Sequence, residues 1–452
     1  MPILPIDSGR YGSKEMRGIF EDERRLQYQL DFEAAVAKAQ AQLGMIPSIV
    51  ADEIKGRAQV GRVTPARVRE LESVSDHDTA AMIEALSEQV SAKSKPWIHY
   101  GLTSNDVIDT STSMQMRDAF SIIASKVAIL AQLLVDRSRE FKDVPAVGRT
   151  HGQHASIISF GLKFAVWATE MARHIERIKE GEKRFLMCKT LGVVGTGSLM
   201  GDKALEVQKI VAHDLHLYSV DAATQIVPRE RFAEMQFYIA LIGSTLDKIA
   251  TEIRNLQRTE IGEVAEPFKK GQMGSSAVPV KRNPIKSERV SSLARILRSF
   301  VSASMENISS WHERDLANSA NERFTLPMAS ILLDEMLNAM TVVIRELNVN
   351  KERIARNIEL TKGQIYAEFI LDALIKKGIA RFDAYRDIQR VAFSALESDR
   401  HFFDAACEDR NISAKLSRQE LETIFDPTSH LAASERIIGH VAGLVIDATK
   451  KM

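Results

Sequence analysis

The sequence predicts an all-α protein whose centre is a bundle of long helices. Only 23 glycines and 12 prolines interrupt the 452 residues, and residues 285–326 contain neither. Apolar side chains recur in alternating steps of four and three residues, from 116 to 134 and again from 235 to 256. Such a seam, repeating about every 3.5 residues, lets a helix pack along its whole length against other long helices.

The positions of the prolines divide the predicted helices into three domains. Residues 1–105 form shorter helices broken by prolines at 47, 65 and 96, and residues 106–346 carry the long apolar seams. Residues 347–452 return to shorter amphipathic segments. A helix over residues 229–266 would be about 57 Å long, which exceeds the interior of a monomeric globule of this size. We therefore expect the central helices to share a bundle with helices of other subunits.

The composition argues against several classes of protein. The 60 basic and 60 acidic side chains give a formal net charge of zero, whereas general nucleic-acid and anionic-membrane binders carry a large basic excess. Cys188 and Cys407 are too few for a disulfide framework or a paired-cysteine metal site. No apolar run approaches the roughly 18 residues of a membrane span, and no secretory leader pattern opens the sequence. We expect a cytoplasmic protein that binds neither nucleic acid nor a membrane.

The first of four polar segments, residues 97–110, holds Thr103, Ser104, Asn105 and Asp106 directly ahead of a long predicted helix. These residue types accept hydrogen bonds from the free amides at a helix start, so helix capping is one explanation. Capping needs only one of the four, and exposed amides at a helix start also bind anions. The pattern leaves both explanations open.

The second segment, residues 148–155, also has the pattern of a helix start and contains His151 and His154. Two histidines three residues apart could ligate a metal, but no third ligand accompanies them. His213 and His216 repeat the same spacing without such a context. We therefore predict that no metal binds here. A histidine flanked by an arginine, a threonine and a glycine fits a functional site better than a packing position.

Two further polar segments follow. Residues 269–284 connect long predicted helices with glycines, serines and several basic side chains. A flexible solvated loop would explain this composition, but long connections of this kind are often lids or binding elements. Residues 313–323 form a dense polar run that a solvated helix face would explain. The glycine-rich residues 192–201 lack GxGxxG spacing and a preceding strand, so we predict a turn between helices there.

The four segments match the sequence blocks of a known superfamily. The loop residues that match are Gly274, Ser275, Ser276, Pro279, Lys281, Arg282, Asn283 and Pro284, followed by Glu288. Together with residues 99–106 and 149–152, they resemble the fumarase/aspartase superfamily. Arg10 with Tyr11, residues 76–78 and residues 313–323 are similar to its adenylosuccinate lyase branch. The similarity runs in order over most of the chain.

The resemblance implies a fold and an activity. The implied fold has three helical domains in each subunit. The central helices of four subunits would form a twenty-helix core, and each active site would contain residues of three chains. The implied reaction is a β-elimination that expels fumarate from adenylosuccinate, giving AMP, and from a related succinylated carboxamide ribotide (SAICAR, giving AICAR) in purine biosynthesis. No metal and no organic cofactor is implied. The expected partners are a small nucleotide substrate and three further copies of the chain.

The resemblance also implies residue roles. Ser275 is the base that removes a proton from carbon, His151 is the acid that protonates the departing nitrogen, and Glu288 orients His151. A serine can act as a base only where its alkoxide is stabilised, which the basic, glycine-rich loop would provide. Substrate contacts are implied for Arg10, Tyr11, Asp76, His77, Asp78, His99, Thr103, Ser104, Gln225, Ser276, Lys281, Arg282, Asn283, Ser319 and Arg323. Arg10, Tyr11, Ser319 and Arg323 belong to the phosphate region.

Two alternatives remain at the level of the sequence. One is another enzyme of the superfamily, such as a carboxymuconate cycloisomerase, and the other is a non-catalytic helical scaffold. A substrate without a nucleotide would give no role to Arg10 and Arg323. The presence of Ser275, His151 and Lys281 argues against the scaffold.

Overall fold

The structure is a computed structural model that describes residues 4–450, and it is mostly helical. This confirms the all-α prediction, apart from three small two-stranded sheets that the sequence analysis did not predict. The first five helices are α1 Lys14–Phe20, α2 Asp22–Gln42, α3 Ser48–Arg57, α4 Pro65–Ser75 and α5 Asp78–Ser87.

The middle of the chain carries the long helices. Its elements are α6 Ser104–Glu140, β1 Pro145–Thr150, β2 Gln153–Ser159, α7 Phe160–Phe185, β3 Met187–Cys188, α8 Ala204–Asp214, β4 Tyr218–Ser219, α9 Glu230–Leu256, β5 Val264–Ala265, α10 Ile285–Glu306, α11 Ser319–Glu346 and β6 Asn348–Val349. The last helices are α12 Lys351–Glu359, α13 Ala367–Lys376, α14 Arg381–Glu397, α15 Phe402–Glu408, α16 Arg410–Ser413, α17 Arg418–Ile424 and α18 Ala432–Lys450.

The bundle consists of α6, α7, α9, α10 and α11, which pack against one another along their lengths. The predicted seam of α9 points into the core, since Ile239, Leu246, Ile249 and Ile253 are fully buried. The final helix, α18, packs against α7 and α6. The alternating spacing of four and three therefore identified the buried faces correctly.

Helix α9 is shorter than predicted. It ends at Leu256, and its 27 residues span about 40 Å rather than 57 Å. The chain then turns through Gly262, whose φ is +63°, and enters β5, which pairs with β6. The apolar seam ends at the same residue, so the extension to 266 was an error of element length.

Residues 148–155 were wrongly predicted to open a helix. They form part of an antiparallel hairpin in which Thr150 pairs with Gln153. His151 and Gly152, the two residues of the turn, have φ values of +53° and +74°. Positive φ at both central residues is the geometry of a type I′ turn, which twists in the same sense as the flanking strands.

The polar run at 313–323 is only partly helical. Helix α10 ends at Glu306, and α11 does not begin until Ser319, so residues 313–318 lie in a connection. The carboxylate of Asp315 organises this connection, because it accepts hydrogen bonds from the amides of Trp311 and Ala317, each at 2.8 Å. The prediction of a turn at 192–201 is confirmed, since four of its glycines have positive φ.

The hydrophobic interior has one large cluster, which extends from α1 to α11 and includes α18. A second cluster is formed by side chains between residues 370 and 421. The division into domains 1–105, 106–346 and 347–452 stays a prediction. Within residues 4–450, α6 and α11 are long and apolar enough to cross a membrane, yet both lie at the centre of the bundle. Core helices of globular proteins have the same length and composition.

Candidate active site

A pocket of 190 Å³ lies between the starts of α6 and α11. Ser319 and Arg323, both predicted to contact a phosphate, line it. Its charged lining consists of four arginines and two carboxylates: Arg25, Arg229, Arg314, Arg323, Asp109 and Glu322. The excess of positive charge suits an anionic ligand.

Several polar atoms that line this pocket have no hydrogen-bond partner within residues 4–450. They are Asn105 Oδ1, Arg229 Nε, Arg314 Nε and Glu322 Oε1, all of which are buried. Arg229 Nε and Glu322 Oε1 lie 2.9 Å apart and form an ion pair with each other. Buried polar atoms are nearly always hydrogen-bonded in native proteins, to the protein, to water or to a ligand. Asn105 Oδ1 and Arg314 Nε are therefore the two atoms of this set that a ligand or water in the pocket could satisfy.

The start of α6 is fixed by a buried ion pair. The Asp106 carboxylate accepts a hydrogen bond from the amide of Thr103 at 2.8 Å and from that of Gly192 at 3.0 Å. The Lys189 ammonium lies 2.5 Å from the same carboxylate and is completely buried. Capping of α6 is thus confirmed, and the same contacts tie residues 192–201 to the helix start that presents Thr103 and Ser104.

The segment at 76–78 contacts both α6 and α11. Nδ1 of His77 accepts a hydrogen bond from the amide of Ala80, while its Nε2 lies 3.4 Å from the hydroxyl of Ser104. The Asp78 carboxylate forms an ion pair with Arg323 at 3.0 Å. Burial raises the pKa of Asp78, but the Arg323 guanidinium and a backbone amide outweigh this effect and leave the pKa lowered. Asp78 is therefore ionised at neutral pH.

His99 is held in an unusual backbone conformation, with φ at +58°. Its Nδ1 lies 2.6 Å from the Glu33 carboxylate, which also accepts a hydrogen bond from the His99 amide at 3.1 Å. Burial lowers the pKa of His99, but the negative charge of Glu33 outweighs burial, so the pKa is raised. The pair favours the protonated imidazole.

Gln225 is linked to the pocket through Arg314, a residue to which the sequence analysis gave no role. Arg314 Nη1 donates a hydrogen bond to the Gln225 side chain at 3.0 Å. The amide of Gln225 donates to the carbonyl of Glu313 at 3.3 Å. Burial lowers the pKa of Arg314. The position of Arg314 in the polar run 313–323 was the available signal, but periodicity alone could not distinguish it from a solvated arginine.

The loop with Ser275 is exposed but internally ordered. The Ser275 hydroxyl accepts hydrogen bonds from the amides of Ala277 and Val278, at 3.3 and 3.1 Å. The Asn283 side chain donates to the Gly274 carbonyl at 2.9 Å, which closes the loop across its base. Of the other predicted loop contacts, Ser276, Lys281 and Arg282 are exposed. Two amides directed at one hydroxyl oxygen would stabilise negative charge on that oxygen.

Glu288 lies in the first turn of α10, next to a strong helix cap. The buried carboxylate of Glu266 accepts hydrogen bonds from the amides of Lys286 and Ser287, at 3.1 and 2.7 Å, and from the Ser287 hydroxyl. This cap fixes the direction in which α10 leaves the loop. The Glu288 side chain is exposed and forms no hydrogen bond or ion pair with any residue between 4 and 450.

His151 is exposed at the tip of the β1–β2 hairpin. The hairpin is anchored by Arg149, whose guanidinium pairs with the buried carboxylate of Glu263 at 2.6 Å. In the described part of the chain, no hydrogen bond or ion pair joins the side chains of His151, Ser275 and Glu288. A single chain therefore forms the arginine-rich pocket, whereas the side chains of His151, Ser275 and Glu288 lie apart from one another.

The remaining predicted residues occupy exposed or half-buried positions. Arg10 is exposed and Tyr11 half-buried, both ahead of α1, and Asp76 ends α4 with φ at +53°. Between residues 4 and 450, no group of three His, Cys, Asp or Glu side chains is arranged to hold a metal ion.

Known proteins are similar to the chain over nearly its whole length. The family described as lyase matches residues 9–297, and the family described as adenylosuccinate lyase C-terminus matches residues 363–441. An adenylosuccinate lyase of Methanocaldococcus jannaschii is 42% identical over 442 residues, covering 98% of this chain and 96% of that protein. One from Pyrococcus abyssi is 42% identical over 451 residues, covering 100% of both.

Solved structures share the fold. The 3-carboxy-cis,cis-muconate lactonizing enzyme of Pseudomonas putida superposes with a TM-score of 0.88 at 28% identity, covering 99% of this chain and 100% of that one. A fumarate lyase of Mesorhizobium sp. BNC1 superposes with a TM-score of 0.87 at 27% identity, covering 96% and 98%. The fold, the sequence identity and the two family matches all indicate the same family. The chain therefore belongs to the adenylosuccinate lyase family of the fumarase/aspartase superfamily.

Proposed function

We propose that the protein is a carbon–nitrogen lyase that eliminates fumarate from adenylosuccinate to give AMP, and from SAICAR to give AICAR. The observation that carries this proposal is the arginine-rich pocket at the starts of α6 and α11. Ser319 and Arg323 line this pocket, and Arg323 pairs with Asp78. His77, next to Asp78, lies 3.4 Å from the Ser104 hydroxyl. Guanidinium groups make strong, paired hydrogen bonds to phosphate oxygens, so the pocket fits the phosphate end of a nucleotide.

The proposed chemistry needs one base, one acid and stabilisation of charge. Ser275 Oγ, as its alkoxide, removes a proton from the carbon next to a substrate carboxylate, and the electron pair moves into that carboxylate. The carbon–nitrogen bond then breaks as His151 donates a proton to the departing nitrogen of the adenine. The products are fumarate and AMP, which together account for every atom of adenylosuccinate.

Ser275 has local support for the role of base. The two amides that donate to its oxygen would also stabilise the alkoxide, which lowers the energy needed to deprotonate the serine. We assign Lys281 and Asn283, on the same loop, to the substrate carboxylate. Glu288, one turn into α10, is free to orient a histidine that approaches from another subunit.

We also propose a homotetramer in which sites are shared between subunits and the central helices form a twenty-helix core. Support comes from the outward faces of the long helices, where Ile129, Phe237, Ile296 and Phe324 are 54%, 49%, 38% and 60% exposed in the single chain. Each of the bundle helices α6, α9, α10 and α11 thus exposes at least one large apolar side chain, which an interface with another subunit would cover. Shared sites would also bring His151 and Glu288 together. We place the enzyme in the cytoplasm, consistent with two cysteines that form no disulfide.

A second candidate is a carboxymuconate cycloisomerase, favoured by the similarity to the Pseudomonas putida lactonizing enzyme. Its substrate has carboxylates but no nucleotide, and would leave much of the arginine-rich pocket unused. A non-catalytic helical scaffold is the third possibility. The higher identity to adenylosuccinate lyases, over the full chain, supports the first proposal.

The decisive experiment incubates the pure protein separately with adenylosuccinate, argininosuccinate, aspartate and carboxymuconolactone. We expect equimolar AMP and fumarate from adenylosuccinate, and no product from the other three. Turnover of another compound in place of adenylosuccinate would overturn the substrate assignment. Absence of any turnover by a folded oligomer would support the scaffold.

A further inference from the structure

Arg229 is a buried arginine with no role in the chemistry described above. Only 2% of its side chain is exposed, and its two terminal nitrogens each lie 2.8 Å from one oxygen of the Asp109 carboxylate. Its Nε lies 2.9 Å from Glu322 Oε1, within ion-pair distance although not in hydrogen-bond geometry. Its Nη2 donates to the second Glu322 oxygen at 3.3 Å.

The partners of Arg229 belong to the segments that carry the substrate contacts. Asp109 is on α6, less than two turns after Thr103 and Ser104, and Glu322 directly precedes Arg323 on α11. Arg229 itself follows Gln225 by four residues. It donates to the carbonyl of Val227 at 2.8 Å, while the amide of Val227 donates to Asp109 at 2.7 Å. One guanidinium therefore spans three parts of the pocket wall.

The need for stability alone does not explain this arrangement. Burying charged groups is costly, and replacement of a buried ionic cluster by apolar side chains of similar size is often neutral or stabilising. A planar guanidinium, however, fixes the distance and angle between two carboxylates, which apolar contacts do not. Unlike ordinary packing, this cluster fixes the distance and angle between α6 and α11.

We propose that Arg229 is a positioning residue, which holds α6 and α11 at the separation that the nucleotide end of the substrate requires. The inference rests on the proposed function and adds a residue to it. Arg229 lines the pocket, but its guanidinium is bonded to Asp109 and Glu322, and it acts through these two carboxylates. Its loss should therefore weaken nucleotide binding more than it slows the elimination performed by Ser275 and His151.

The first test is Arg229→Lys, which keeps the charge but cannot form the planar fork. We expect the KM for adenylosuccinate and the Kd for AMP to rise by about tenfold or more, with a smaller change in kcat. Arg137→Lys is the matched control. Arg137 is also largely buried and donates to a backbone carbonyl at 2.6 Å, but it lies near the other end of α6, roughly 40 Å from Asp109. This control should lose stability and keep its KM.

The second test separates positioning from stability. Arg229→Met alone leaves two buried carboxylates uncompensated, whereas Arg229→Met combined with Asp109→Asn and Glu322→Gln removes all three charges. We expect the triple variant to regain most of the Tm lost by Arg229→Met while its KM and its Kd for AMP stay high. A purely structural role would instead restore KM together with Tm, and that result would overturn the proposal.

Each remaining outcome also has a defined meaning. If the wild-type protein converts adenylosuccinate and Arg229→Lys keeps KM and the AMP Kd within about twofold, the inference is wrong and the proposed function stands. If the wild-type protein neither converts adenylosuccinate nor binds AMP, both fail together. Glu322→Gln, at the less buried edge of the cluster, is expected to give a smaller rise in KM than Arg229→Lys.

Discussion

Asp76, His99 and His151 share a backbone conformation that non-glycine residues rarely adopt. Their φ values are +53°, +58° and +53°. Each such residue costs on the order of 1 kcal/mol or more relative to a relaxed backbone, and glycine would remove that cost. The side chains are present at these positions despite the cost. Within residues 4–450 the same conformation occurs at His216, His312, Lys362 and Asp399, so positive φ marks tight turns as well as the three predicted site residues.

Ser275→Ala tests the proposed base. The variant should lose about 10²- to 10⁴-fold in kcat, because it has no group that can remove the proton from carbon. Its Kd for AMP and its oligomeric state should be unchanged, since within residues 4–450 the hydroxyl has hydrogen bonds only with amides of its own loop. The neighbouring Ser276→Ala serves as the control with a smaller expected loss. A kcat near that of the wild type would exclude Ser275 as the base.

The His99–Glu33 pair should stabilise the fold in a pH-dependent way. The pKa of His99 is raised in the folded state, so the stabilisation is complete below the unfolded value of about 6.5 and is lost as the pH rises through the folded value. Glu33→Gln should therefore cost about 1.5–3 kcal/mol near pH 6 and less near pH 9. Unfolding curves at both pH values would check this. His213→Gln, at an exposed position, should change neither curve.

Among the elements, the loop between β5 and α10 depends on a glycine that has no room for a side chain. A Cβ on Gly274 would lie 1.9 Å from the Lys281 carbonyl oxygen. Gly274→Ala should thus open the loop and lower kcat/KM by about tenfold or more, with little change in Tm because the loop is exposed. Gly61→Ala, where a Cβ meets nothing within 4 Å, is the control. Unchanged kcat/KM for Gly274→Ala would show that the closed shape of the loop is not required.

The start of α6 depends on the completely buried Lys189. Lys189→Met would leave the Asp106 carboxylate buried without its counter-ion, at a cost of about 3–5 kcal/mol. Thermal unfolding should show a lower Tm, and the additional change Asp106→Asn should recover part of it. If the double variant were no more stable than the single one, charge compensation would not be the reason for the pair.

Local patterns predicted some elements well and others poorly. The helix start at Thr103 could be predicted because capping residues and a long apolar seam both indicate the same boundary. The hairpin at His151 could not, because its turn uses His-Gly in place of the usual Asn-Gly and its second strand begins with polar residues. Arg314 and Arg229 were also missed, since burial of an arginine depends on distant partners that no local spacing reveals.

At the scale of the whole molecule, the proposed sharing of sites between subunits leads to a complementation test. Ser275→Ala and His151→Gln should each be nearly inactive alone. After mixing in equal amounts, dissociation and reassembly, about a quarter of the sites should contain both native groups, and activity should return in proportion. Reassembly of each variant alone is the control and should restore nothing. No recovery in verified mixed oligomers would mean that one chain supplies both groups.

The sequence led to the expectation that the chain has partner subunits, which stays a prediction, and it did not indicate where the proposed site is completed. The apolar seams are buried within the single chain, whereas the exposed Phe237 and Ile296 support the proposed interface. In the proposed oligomer, the distances between His151, Ser275 and Glu288 depend on how the subunits are oriented, and no sequence pattern within one chain predicts that orientation. The arginine-rich pocket is different, because its residues meet within a single chain.

The docking of α18 against α7 and α6 has a consequence for synthesis. Ile438, Val441 and Val445 complete the core around helices made roughly 250 residues earlier. A ribosome adding about 5–20 residues per second leaves that apolar surface uncovered for roughly 10–50 s. Throughout this interval the nascent chain is a target for chaperones and for misassembly with its neighbours on the same messenger RNA.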